Sequence, residues 1–248
     1  MSKHHYTGER NKIQHFPTDR LDLGRLQQED TCSPSPLLSS GSIPGCLLFD
    51  LDGVLIDTRQ VIVKALCYVA DILKVHIHAE KELLAAAVMS PRKAVEALFP
   101  QHTHALSLLR EGIKLYVPDL SPCPGILELL EVCMKEPIAV VTSRNQIEAD
   151  FFLTNADLHR FFSVVVTWGH TSRHKPRPDP LILAARQLGR TTGIYIGDTP
   201  SDMVAAKAGG FYPIGAVWAS QWSNDQLIAA GAAFVAAQPS AVLAHLQG

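Results

Sequence analysis

Long apolar runs are missing from this chain. None approaches the roughly 18–20 consecutive apolar residues of a membrane-spanning helix, so no membrane partner is expected. The opening residues, MSKHHYTGERNK, lack the apolar segment of a secretory signal. A cytoplasmic location is therefore expected. Paired cysteines are missing as well. Cys32, Cys46, Cys67, Cys123 and Cys133 are odd in number, scattered and without CxxC spacing. That argues against a disulfide framework or a zinc site and for free thiols. A strong charge of either sign is also absent. The formal net charge of -2 creates no field that would draw nucleic acid. What the chain has is apolar content, 47% of its 248 residues. That suffices for one substantial core and a small second domain.

Residues 1–44 are polar and without periodicity, and they end in a Ser/Pro/Gly-rich stretch. They read as a flexible N-terminal extension. From Cys46 the pattern becomes regular. CLLFD (46–50) is a short apolar run that stops at charged residues, as a buried strand does. Helical spacing follows over 59–74, 79–88, a stretch opened by Ser90-Pro91, and 103–116. No strand is expected between 58 and 124. Beyond it, helices are predicted from Pro124-Gly125 to about 135 and over 145–155, 178–188 and 200–208. Strands are predicted over 137–142, 162–167, 193–197, 213–218 and 233–237, before a terminal helix. This alternation predicts an α/β fold, a doubly wound parallel sheet with a Rossmann-like core. The core would comprise 45–57 and 125–248, with 58–124 as a small helical cap inserted after the first strand.

Sites in such sheets lie at the carboxyl ends of the strands. There the sequence places Asp50 and Asp52, then Thr142, Ser143 and Arg144, then Lys175 just before a helix, then Asp198 and Asp202. Several carboxylates converging on one crevice call for a hard cation with oxygen ligands, and magnesium suits that set. Such a cation and Lys175 would neutralise a phosphoryl group, and Thr142 would donate a hydroxyl to it. Backbone N–H groups after Asp50, in a loop opened by Gly53, would add donors. Asp50 and Asp52 lie two apart, so both side chains return to one face. One could attack phosphorus while the other moves protons.

These residues resemble the haloacid dehalogenase-like hydrolase superfamily, in particular its phosphoglycolate-phosphatase-like branch. DLDGVLIDT, VVTSR, KPRPDP and IGDTPSDMVAAKAGG stand in the family's order at the family's strand ends, and the likeness covers about 46–245. It implies Asp50 as nucleophile and magnesium ligand, and Asp52 as general acid/base with its carbonyl on the metal. It implies Thr142 and the Ser143 N–H on the phosphoryl group, and Lys175 paired with Asp50. Asp198 would be a metal ligand, with Asp202 acting more remotely. An aspartate at position 52 favours phosphate chemistry, since a halide leaves without being protonated. Two departures stand out. Val54 replaces a frequent Thr, and the cap stretch 88–93 lacks the usual Gly. Arg92 or Lys93 there would reach a charged leaving group.

Several residues have plainer readings. Asp57 and Asp179 read as helix-start residues. Arg144 is open between substrate contact and ion pairing. Trp168 is expected to pack, and the histidines are read as surface or loop residues, with His170 and His174 near Lys175. The expected activity is hydrolysis of a small phosphomonoester: a phosphoglycolate-like compound, a sugar phosphate or a nucleotide. A sugar-phosphate mutase shares the motifs, and a non-enzymatic binding role is the third alternative. Monomer and homodimer are both left open.

Overall fold

A computed structural model describes residues 45–247 apart from 78 and 90. The expected extension 1–44, with Cys32, lies outside the described residues, as does the expected helix cap at Ser90. Six strands, β1 (Cys46–Phe49), β2 (Ile138–Val141), β3 (Val164–Val166), β4 (Gly193–Gly197), β5 (Tyr212–Ala216) and β6 (Phe234–Ala236), form one sheet in the order β3-β2-β1-β4-β5-β6. Every pairing is parallel. The chain winds outward from β1 to β3 and then returns to the other side of β1. The topological switch point therefore falls between β1 and β4, and the crevice between their carboxyl ends is where a ligand site is expected.

The sheet is covered on both faces, so its central strands need no polar side. Residues of β1 alternate. Leu47 and Phe49 pack on one face with α5 (Ile126–Cys133), α6 (Gln146–Asn155) and α10 (Pro239–Gln247). Cys46 and Leu48 pack on the other with α7 (Asp179–Gln187) and α8 (Pro200–Ala208). All four are fully buried. Cys46, Cys67, Cys123 and Cys133 are free thiols. Among the described residues no helix is long and apolar enough to cross a membrane.

Between β1 and β2 the described residues form α1 (Arg59–Leu73), α2 (Glu80–Ala87), α3 (Pro91–Leu98) and α4 (Ala105–Tyr116), with no strand among them. The two connections to this insertion run side by side. Ile56 bridges Pro122, and the N–H of Cys123 donates to the carbonyl of Leu55 at 2.9 Å. Buried apolar residues continue from the strands into these helices.

Helix α9 (Asn224–Ala229) is not among those expected from the sequence. Its signal was present. The side chain of Ser223 accepts from the Gln226 N–H, and that of Gln226 accepts from the Ser223 N–H. This is a capping box, a pattern readable in S-x-x-Q. Strand ends also shifted: 162–167 shortened to Val164–Val166, and 213–218 became Tyr212–Ala216.

Helices α1 and α4 meet through Gly112. A Cβ there would lie 3.0 Å from the Cα and Cβ of Ala65. Gly112→Val is therefore expected to lower stability by about 1–3 kcal/mol through overpacking. Urea unfolding checks this, and an unchanged midpoint would mean that the two helices part without cost.

Candidate active site

The segments after β1, β2, β3 and β4 deliver the components of the switch-point crevice. Asp50 directly follows β1, and its N–H continues the ladder to the carbonyl of Ile196 at 2.9 Å. The strand ladder thus fixes the backbone from which the carboxylate projects. Asp50 is 6% exposed. Its Oδ1 accepts the N–H of Leu51 at 2.8 Å, and its Oδ2 lies 3.1 Å from Lys175 Nζ. Burial raises Asp50 to about 7, with Lys175 opposing and Asp202 and Asp52 adding to the rise.

Asp198 enters from the loop after β4, and Asp202 from the first turn of α8. Thr199 caps α8 in a reciprocal box with Asp202. Asp202 Oδ2 accepts the Thr199 N–H at 3.0 Å and its hydroxyl at 2.7 Å. Asp202 Oδ1 is 2.7 Å from Lys175 Nζ. The Asp198 carbonyl accepts Ser220 Oγ at 2.7 Å. Burial drives Asp198 well above the ordinary carboxylate range, and Asp202 and Asp50 push the same way. For Lys175, burial favours the neutral amine, but Asp202 and Asp50 outweigh it and raise the group.

Lys175 is saturated. An ammonium has three N–H donors, and here they meet Asp50 at 3.1 Å, Asp202 at 2.7 Å and the hydroxyl of Tyr195 at 2.9 Å. Tyr195 was read from sequence only as part of an apolar strand. Nothing in the pattern GIYIG marks its hydroxyl as polar machinery.

Asp52 stands in a different environment. Arg144 holds it in a fork, with Nη2 to Oδ1 at 2.8 Å and Nε to Oδ2 at 3.0 Å, and the Thr58 hydroxyl donates to Oδ1. Burial alone would raise this carboxyl. The charge and hydrogen bonds of Arg144, with Thr58, hold it below the usual range. Arg144 in turn approaches Glu148 at 3.7 Å and lies 4.6 Å above the Phe152 ring. Of the two sequence readings of Arg144, the structure shows the ion pair. Thr58 precedes α1 without capping it by its side chain.

Thr142 is nearly buried, and its Oγ1 accepts the N–H of Arg144 at 3.1 Å. With Ser143, Thr167, Trp168, His174 and Lys175 it lines a small pocket of about 10 Å³. Trp168 stacks on His174 at 3.3 Å yet remains 51% exposed, so the expected packing is one-sided. Asp57 pairs with Arg59 at the start of α1. Asp179 accepts from Arg173 in the first turn of α7. Both stand at helix starts as expected, but Asp179 pairs with Arg173 instead of capping α7. Arg92 and Lys93 stand exposed in the first turn of α3, and neither lines that pocket.

Gly53 needs a sharper account than the loop-opening role expected from sequence. Its N–H donates to the Ile56 carbonyl at 2.8 Å, so that donor is already used. Its φ is +74°, and a Cβ there would sit 2.3 Å from Asp198 Oδ2. The glycine lets the first loop close against the fourth.

Asp50, Asp198 and Asp202 each bring one carboxylate oxygen within 4.8 Å of the others. Asp52 is balanced by Arg144, and Lys175 balances only one of the remaining three. With all three ionised, two formal negative charges would be left over in a buried place, and that cost is what raises Asp50 and Asp198. An all-oxygen donor set with that surplus fits a hard divalent cation.

Comparison with known proteins follows the same lines. The model of the haloacid dehalogenase-like hydrolase family matches residues 47–216. A Caldanaerobacter subterraneus protein provisionally named pyrophosphatase PpaX is 30% identical over 178 residues, covering 69% of this chain and 81% of that protein. A phosphoglycolate phosphatase of Xanthomonas campestris is 26% identical over 214 residues, covering 79% and 93%. Among solved structures, a Thermotoga maritima protein provisionally named a beta-phosphoglucomutase superposes with a TM-score of 0.72 at 27% identity, covering 82% of this chain and 98% of that one. The fold, the placement of the motif residues and these relatives agree: the chain belongs to the haloacid dehalogenase-like hydrolase family and is a hydrolase.

Proposed function

We propose that this hydrolase is a magnesium-dependent phosphatase that cleaves a small phosphomonoester through an aspartyl phosphate, an acyl phosphate formed on Asp50. The observation that carries the reading is the switch-point cluster. A buried carboxylate at the end of β1 is fixed by one ammonium and faces two further carboxylates that call for a cation. In the first step an Asp50 oxygen bonds to phosphorus as the bond to the leaving oxygen breaks. Asp52, once parted from Arg144, takes up a proton from solvent and passes it to that oxygen. In the second step water attacks the phosphorus, Asp52 takes its proton, and the bond to Asp50 breaks. Thr142 and the Ser143 N–H hold the transferring group. Asp50, Asp198, the Asp52 carbonyl and, more remotely, Asp202 would hold magnesium. When bound, it supplies positive charge to the phosphoryl oxygens.

The α1–α4 insertion acts in this reading as a cap that excludes water and selects the substrate. Arg92 and Lys93 are its candidates for contact with a charged leaving group. The substrate is a small phosphorylated metabolite in the cytoplasm. A mutase reading draws support from the Thermotoga neighbour. Stoichiometric release of inorganic phosphate from several esters would rule it out. Pyrophosphate belongs among the compounds tried, because a relative carries that name.

Asp50→Asn is expected to lower phosphate release by at least about 1000-fold while leaving the circular dichroism spectrum unchanged. Full turnover in that variant would end the mechanism.

A second outcome concerns charge. Asp50 and Asp198 have raised values in the folded protein. Their contribution to stability is therefore present at low pH and is lost as pH rises from the ordinary carboxylate range through the raised one. In EDTA the melting temperature should fall from pH 5 to pH 8. Magnesium at 100 times its dissociation constant should restore about 2.7 kcal/mol at pH 8. Asp198→Asn should flatten the metal-free pH profile and remove most of the magnesium response. A profile equally steep in that variant would place the repulsion elsewhere.

A further inference from the structure

The proposed chemistry leaves one buried polar group at the site without a task, the hydroxyl of Tyr195. We propose that Tyr195 is a positioning residue that acts through Lys175. In the free protein its hydroxyl holds the third N–H of the ammonium, and it releases that N–H when a phosphoryl group enters. The inference rests on the phosphatase reading and adds a residue to it.

Geometry carries the argument. Lys175 donates to Asp50, Asp202 and Tyr195 at 3.1, 2.7 and 2.9 Å. A phosphoryl oxygen arriving beside Thr142 needs an N–H from Lys175, so one existing contact must open. Opening either carboxylate contact would separate opposite charges inside the protein, which is strongly unfavourable. Opening the contact to a neutral hydroxyl leaves only an oxygen lone pair without a donor. The hydroxyl also keeps its own acceptors. Asp202 Oδ1 at 3.0 Å and the Val141 carbonyl at 3.3 Å are both within reach of its proton. The ring stays in place because it is fully buried among Leu48, Val141, Leu181 and Ala205. Tyr195 thus aims the ammonium while the pocket is empty and yields at the lowest cost of the three partners.

Tyr195→Phe keeps the ring and removes the competing acceptor. In magnesium buffer, inorganic phosphate should then inhibit ester hydrolysis about tenfold more tightly, the size of one charge-assisted hydrogen bond. Both kcat and KM should fall, because the product leaves more slowly. A hydroxyl with a merely structural role gives weaker or unchanged inhibition, and either result overturns the proposal. A second measurement needs no variant. In the natural chain labelled with ¹³Cζ-tyrosine, the fully buried Tyr195 is distinguished by its slowly exchanging hydroxyl. Its signal should shift as phosphate saturates the protein. Phosphate that binds with this signal unmoved sinks the placeholder role and leaves the phosphatase reading standing. A chain that neither releases phosphate from esters nor binds phosphate sinks both.

Discussion

Surplus negative charge in a place that water scarcely reaches governs this molecule. Asp50, Asp198 and Asp202 are all buried, and among the described residues Lys175 is the single ammonium in contact with Asp50 and Asp202. In water such charges would be separated and solvated. Here the ladder of β1, the capping box of α8 and the close approach of Gly53 hold them together. The energy needed to assemble them comes from the apolar layers on both faces of the sheet. The same surplus is what a cation and a phosphoryl group bound to it would relieve. Folding and chemistry are therefore tied to one electrostatic imbalance.

The two aspartates of the first loop show how local surroundings divide labour between identical side chains. Asp50 faces other carboxylates and is pushed upward, whereas Asp52 is gripped by Arg144 and is pushed downward. A single residue, Leu51, separates them, but their neighbours come from different strand ends. Arg144 follows β2, and Asp202 follows β4. The parallel sheet is what makes this possible, because it gathers loops distant in sequence at one edge.

Much of this was legible in the sequence because strand-end residues carry chemistry in a recognisable order. The apolar run 46–49 and its abrupt end at Asp50 located both a strand and a candidate nucleophile. GIYIG and the helix at 200–208 were read with their observed bounds. The hydroxyl of Tyr195 was hidden because a tyrosine in a buried strand fits its apolar surroundings, and only the placement of Lys175 twenty residues earlier gives it a polar task. Arg144 stayed open for a similar reason. A guanidinium two residues beyond Thr142 can reach solvent, substrate or a carboxylate, and the choice depends on where Asp52 turns. The N–H of Gly53 looked like a free donor from sequence, whereas the tight turn to Ile56 consumes it.

The alternation along β1 has a consequence for how the nucleophile is addressed. Leu47 and Phe49 belong to one layer, Cys46 and Leu48 to the other, and Asp50 is the next position in that count. A slip of one residue would send every side chain of the strand to the opposite layer and carry the carboxylate along by one rise of about 3.3 Å. That displacement exceeds the 3.1 Å separating Asp50 from Lys175. The site's location is thus a matter of integer register. It tolerates changes in side-chain volume far more readily than the gain or loss of one residue between Gly45 and Asp50.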